Sequence, residues 1–201
     1  MFFWLLNMRY LLAIAFTVIS ATSCQRHEPP VIRNAPVAEQ PLLRQAPDTL
    51  IYDNPGVPYI HTGNVQPSEV VAFAKTLKGI PYAYACSSPE AGFDCSGFIN
   101  YVFDQFQIIV PRSSRDFTNV GKQVPVSHAK PGDLILFTGT DPNVRTVGHI
   151  GIVVYTAADS LSFIHSSSGS ANGVTITPLN EYYRGRFMKI MRIFRQNAEP
   201  V

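Results

Sequence analysis

Apolar residues recur at helical spacing in two stretches of the chain and at strand spacing in five later ones. Val70, Phe73, Ala74 and Leu77 line one side of a helix that Ser68 can cap and Gly79 can stop. Phe98, Ile99, Val102, Phe103 and Phe106 form one face of a second helix, running from about Cys95 to Phe106. Ser113-Ser114-Arg115-Asp116 reads as a capping box for a short third helix that ends at Gly121. Downstream the pattern changes, and residues 133–137, 149–155, 162–165, 173–177 and 187–194 read as strands. Helices followed by strands predict an α+β fold, with N-terminal helices packed on an antiparallel β-sheet.

The first 66 residues follow a different pattern. One arginine, Arg9, precedes the apolar run 11–19, and small residues lead up to Cys24, which is the layout of a secretory signal rather than of a spanning helix. Met8 is an alternative start. Small residues before a cysteine also resemble a bacterial lipoprotein box, which implies cleavage before Cys24 and lipid attachment to its sulfur. Ala21 stands where that box usually has leucine, and plain cleavage leaving Cys24 as a free thiol is the competing reading. From 24 to 66 seven prolines punctuate a stretch with few apolar runs, the composition of a tether. Tyr59 and Ile60 are among the residues there that could pack back on the domain. The expected organisation is therefore a signal peptide over 1–23, a Pro-rich tether over 24–66 and a compact domain over 67–197.

The 201 residues carry a formal net charge of +2 without any Lys/Arg run, so nucleic acid is not an expected partner. The three cysteines, Cys24, Cys86 and Cys95, are too few for a disulfide framework and lack metal-ligand spacing. Neither a metal nor an organic cofactor is expected.

Cys95 lies in Gly92-Phe93-Asp94-Cys95-Ser96-Gly97, where a turn enters the second helix. Unpaired N–H groups and the positive end of the helix dipole favour a thiolate there, the nucleophilic form of cysteine. A Cys86–Cys95 disulfide, which an oxidising compartment would permit, is the competing reading. Of five histidines, His27 and His61 lie in the Pro-rich region and His128 in a polar loop, leaving His149 and His165 on strands. If those strands form a hairpin turning around Ala157, the two histidines sit opposite each other on one face, with Cβ atoms roughly 4.5–5.5 Å apart. His149 would then act as the base for Cys95 and His165 would orient it, the general logic of a nucleophile, a base and an orienting group. The backbone N–H of Cys95 is a ready oxyanion donor, and Tyr82 is a candidate second donor.

Several motifs occur together: Gly79-Ile80-Pro81-Tyr82, Phe93-Asp94-Cys95-Ser96-Gly97-Phe98, Pro111-Arg112-Ser113, Lys130-Pro131-Gly132-Asp133-Leu134, Gly148-His149-Ile150-Gly151-Ile152 and Phe163-Ile164-His165. In order and spacing they resemble the NlpC/P60 family of bacterial cell-wall cysteine peptidases, over about residues 67–196. The resemblance implies a papain-like core and hydrolysis of stem or cross-bridge peptides of peptidoglycan. By it Cys95 is the nucleophile, His149 the base, His165 the third member and Tyr82 the active-site tyrosine. Asp94 and Ser96 match positions that hold the substrate's amino group in some members. The sequence departs from the family where a Gly-Gly pair after the tyrosine is replaced by Ala85-Cys86. The expected partners are peptidoglycan peptides and, through a lipid anchor, a membrane. The expected location is the cell envelope, on the periplasmic face of the outer membrane. An acyl-transferring or amidase relative with the same triad, or a catalytically silent wall-binding lipoprotein, are the alternatives.

Overall fold

A computed structural model describes residues 59–157 and 160–197. The expected signal peptide, Cys24 and the tether as far as Pro58 lie outside the described residues.

Helix α1 (Pro67–Thr76) begins two residues earlier than a Ser68 cap implies. Gln66, not Ser68, is the N-cap, because Pro67 occupies the first helical position, where a missing N–H leaves nothing unsatisfied. The Glu69 carboxylate accepts the Gln66 N–H at 2.8 Å. Two strands of two residues each, β1 (Ser87–Ser88) and β2 (Gly92–Phe93), form a small antiparallel hairpin. Helix α2 (Cys95–Asp104) follows directly and stops before Phe106, with Gln107 in the left-handed region at φ 57°. The expected third helix is a 3₁₀ segment at Ser114–Asn119. Its cap is Ser113, whose hydroxyl accepts the Arg115 N–H at 3.3 Å.

Strands β3 (Lys122–Val124), β4 (Leu134–Thr138), β5 (Val147–Ala157), β6 (Ser160–Ser167) and β7 (Gly173–Pro178), helix α3 (Glu181–Arg186) and strand β8 (Phe187–Arg192) complete the order. Six strands make one sheet, arranged β3-β8-β4-β5-β6-β7 with every neighbour antiparallel.

Strand β4 is buried throughout because both faces of the sheet are covered, and its period of two divides it cleanly. Leu134 and Leu136 point into the larger core with Phe98, Ile99, Val102 and Phe103 of α2, while Ile135 and Phe137 enter a second core with Phe163, Ile190 and Tyr183 of α3. Each of those four α2 side chains is fully buried, a contribution of about 1.5–3 kcal/mol apiece, and this fixes the first turn of α2 against the sheet. Ile60 is also fully buried in the larger core. At the start of β4 the buried Asp133 carboxylate accepts from Arg192 Nε at 3.0 Å and Nη2 at 2.8 Å, and from the Lys130 N–H at 2.8 Å.

Candidate active site

Cys95 is the first residue of α2 and Asp94 its N-cap. The Asp94 carboxylate accepts the Gly97 N–H, satisfying one of the donors a helix start leaves open. Gly97 is also required sterically, since a side chain there would run into the Cys86 carbonyl, which accepts the Asp94 N–H at 3.0 Å. The order Asp-Cys-Ser-Gly therefore fits a helix start pressed against the 83–86 turn. Cys95 is a free thiol, so it is not paired with Cys86. Its Sγ lies 4.0 Å from the Gly148 carbonyl oxygen, at the residue preceding His149.

Arg112, to which sequence reasoning gave no role, completes this corner. It donates to Asp94 Oδ1 at 3.1 Å, Asp94 Oδ2 at 2.8 Å and Ser96 Oγ at 2.8 Å, and Ser96 Oγ itself donates to Asp94 at 3.2 Å. The two positions matched to amine binding are thus held by a guanidinium. Its presence in the Pro-Arg-Ser motif was the available signal.

The hairpin of β5 and β6 has a different register from the one expected. Ile152 pairs with Ile164, and an irregularity follows between Val153 and Tyr155, so the pairing is displaced by two residues. His165 consequently faces Gly151, where an added Cβ would lie 3.2 Å from its own Cβ. A two-residue shift preserves the face, so the histidines become diagonal neighbours instead of direct ones. With no side chain at 151 in the way, His149 Nε2 and His165 Nδ1 meet at 2.8 Å. His165 Nε2 continues the chain to Thr177 Oγ1 at 3.0 Å. Thr177 is a second residue that sequence reasoning missed; its strand was expected, but no periodicity marks the threonine as a partner.

Burial lowers the tendency of both histidines to protonate. His149 is held well below the ordinary 6.5, first by desolvation and then by His165 and Arg186, and desolvation with Arg186 pushes His165 down to about 3. Cys95 differs from the helix-terminus expectation. Its thiol is raised above 9.0, chiefly by burial and secondly by the Asp94 carboxylate; backbone N–H groups of Ser96, Ile150 and Cys95 oppose this without overcoming it. Both shifts act in favour of the neutral thiol and the neutral imidazole. Tyr82 joins the site through bridges that pair Pro81 with Gly173 and Tyr82 with Phe93. Burial raises its phenol, and the charges of Cys95 and Asp94 add to the shift. At the departure from the family pattern, Ala85 adopts φ 60°, a left-handed conformation that glycine takes without strain. Among the described residues no group of three His, Cys, Asp or Glu could hold a metal ion.

The family model described as NlpC/P60 matches residues 79–192, more than half of the chain. The chain belongs to the NlpC/P60 family. Cys95, His149, His165, Tyr82, Asp94 and Ser96 all fall within the matched NlpC/P60 region. The domain is 38% identical over 126 residues to a gamma-DL-glutamyl hydrolase of Bacillus subtilis, covering 61% of this chain and 28% of that protein. It is 34% identical over 122 residues to an Escherichia coli protein named murein DD-endopeptidase MepS/murein LD-carboxypeptidase, covering 60% of this chain and 59% of that one. The chain therefore spans less than two thirds of either relative. A crystal structure of an NlpC/P60 family protein from Bacillus cereus superposes with a TM-score of 0.57 at 28% identity, covering 66% of this chain and 41% of that one.

Proposed function

We propose that this protein is a peptidoglycan endopeptidase that hydrolyses stem or cross-bridge peptides through Cys95, His149 and His165. The observation that carries the proposal is the 2.8 Å contact between His165 on β6 and His149 on β5, the strand that begins beside the Cys95 thiol. The murein DD-endopeptidase and gamma-DL-glutamyl hydrolase names of the relatives support the substrate class.

The hydrogen-bond chain determines the tautomers the mechanism needs. For His149 to accept a proton on Nδ1, its Nε2–H must donate to His165 Nδ1, and His165 Nε2–H then donates to Thr177 Oγ1. His149 takes the Cys95 proton as the sulfur attacks the scissile carbonyl, so the thiolate forms during the reaction. The Cys95 N–H donates to the developing oxyanion, and Tyr82 is the candidate second donor. Collapse expels the amine of the diamino acid, which His149 protonates. Water activated by His149 then hydrolyses the thioester. Asp94, Ser96 and Arg112 form a polar wall beside the nucleophile, and an incoming substrate amine would exchange with the guanidinium on Asp94.

Digestion of cross-linked muropeptides by the full chain, with products weighed by mass spectrometry, tests this. The expected result is a new free amine on the diamino acid together with the mass of one water, and loss of at least about 10³-fold in rate in Cys95→Ala. Equal cleavage by that variant would exclude the nucleophile, and no cleavage by either would leave a wall-binding protein.

The proposal extends to the envelope: residues 1–23 are a lipoprotein signal, Cys24 carries lipid, and 24–66 tethers the domain to the periplasmic face of the outer membrane. Labelled palmitate incorporated by the native chain and not by Cys24→Ser is the expected outcome, and equal labelling would count against it.

A further inference from the structure

A cavity of about 520 Å³ adjoins the histidine pair, with His149 in its wall. The wall is otherwise built mainly of hydroxyl, amide and aromatic side chains, among them Ser168, Ser170, Thr175 and Thr177, with Gly169 and Ala171 between them, and it contains one cation, Arg186, and no carboxylate. Arg186 is only 7% exposed. Its Nη1 donates to the Tyr182 hydroxyl at 2.8 Å and its Nη2 to the Thr138 carbonyl at 3.0 Å, while Nε has no partner. The guanidinium lies over the Tyr182 and Tyr183 rings, 5.1 and 5.5 Å from their centroids.

A buried guanidinium is normally matched by a carboxylate, because an uncompensated charge in the interior is expensive. No ion pair to Arg186 occurs among the described residues, and the nearby histidines are neutral and supply no anion. A cavity with one cation, several hydroxyls and no competing anion is complementary to a carboxylate.

We infer that Arg186 and this cavity form a subsite for a substrate carboxylate on the leaving-group side of the scissile bond. The inference rests on the endopeptidase reading, which fixes the side. His149 protonates the leaving amine, so whatever is bonded to the amine-bearing carbon lies next to His149 and within reach of the cavity it lines. In a D-alanyl-diamino acid cross-link that carbon carries a free carboxylate. The subsite therefore selects leaving residues that keep this acid free and disfavours those in which it is amidated.

The test uses the full-length Cys95→Ala chain, which binds without turnover, titrated calorimetrically with two cross-linked muropeptides. These differ only in whether the carboxylate on the amine-bearing carbon is free or amidated. The expected result is binding of the free acid tighter by about tenfold or more, the scale of a charge-assisted hydrogen bond. Adding Arg186→Gln should bring the two affinities together, and Arg186→Lys should narrow the ratio if the glutamine variant does not fold. Equal affinities in the Cys95→Ala chain, or a preference that survives both substitutions, would overturn the subsite. Native chain digesting the same two muropeptides separates the readings: failure to cleave either one counts against the peptidase, while the affinity ratio still judges the subsite.

Discussion

Position at a helix start is not enough to make Cys95 a standing thiolate. The backbone N–H groups around it lower its pKa, but burial and the Asp94 carboxylate act more strongly in the opposite direction. That carboxylate is where it is because it caps the same helix, so one residue both builds the nucleophile's platform and opposes its ionisation. The histidines are shifted downward, so each partner of the couple favours its neutral form. The sign follows directly. A thiol whose pKa is raised stays protonated until the pH passes above 9.0, and a histidine whose pKa is lowered stays neutral until the pH falls below 6.5. Alkylation of Cys95 by iodoacetamide, followed against pH, should therefore rise with a single inflection above pH 9.0. A rate plateau extending down to pH 5 or 6, on the order of the range seen for thiolate–imidazolium couples, would contradict the neutral pair.

Among the elements, β4 contributes alternate residues to both cores, and its entry is clamped by the Asp133–Arg192 pair that ties it to β8. Both side chains are buried, and the carboxylate is completed by the Lys130 N–H. Asp133→Ala would leave the guanidinium without its counter-charge and should lower stability by about 3–5 kcal/mol, measured as a displaced denaturant midpoint. A loss below about 1 kcal/mol, the range of exposed pairs, would show that the clamp is not needed. The ends of the elements explain how far the pattern could be read. Helices α1 and α2 were legible because each buries a sustained face, and the five long strands because they are rich in β-branched and aromatic residues. Strands β1 and β2 have two residues each and α3 has six, too few to establish a period, and α3 was consequently missed although it brings Tyr183 and Arg186 to the histidines. The β5–β6 register could not be obtained from the midpoint of the hairpin, because the irregularity at Val153–Tyr155 consumes residues unevenly on the two strands. The two histidines nevertheless meet, because the displacement is even and Gly151 leaves the space between them open.

At the scale of the molecule, the α2 start meets the start of β5, and the larger core holds both elements in place. This arrangement supports a nucleophile delivered by a helix and a base delivered by a sheet, each rigid because its own element is buried. That Cys95, His149 and His165 would come together could be anticipated from the order of cysteine and histidines, since those residues carry chemistry that a core does not require. Arg112, Thr177 and Arg186 could not be placed in the same way, because arginine and threonine are common on surfaces and only the folded contacts bring them to the cysteine and histidines. The central claim is that the peptide is cleaved through an acyl group on Cys95. Cleavage of cross-linked muropeptides in the presence of hydroxylamine tests it most directly, since a thioester is intercepted as a hydroxamate of the acyl half. The account predicts hydroxamate in increasing proportion with hydroxylamine, and none with Cys95→Ala. Cleavage that yields only the carboxylic acid at every hydroxylamine concentration, and that persists in Cys95→Ala, would contradict it.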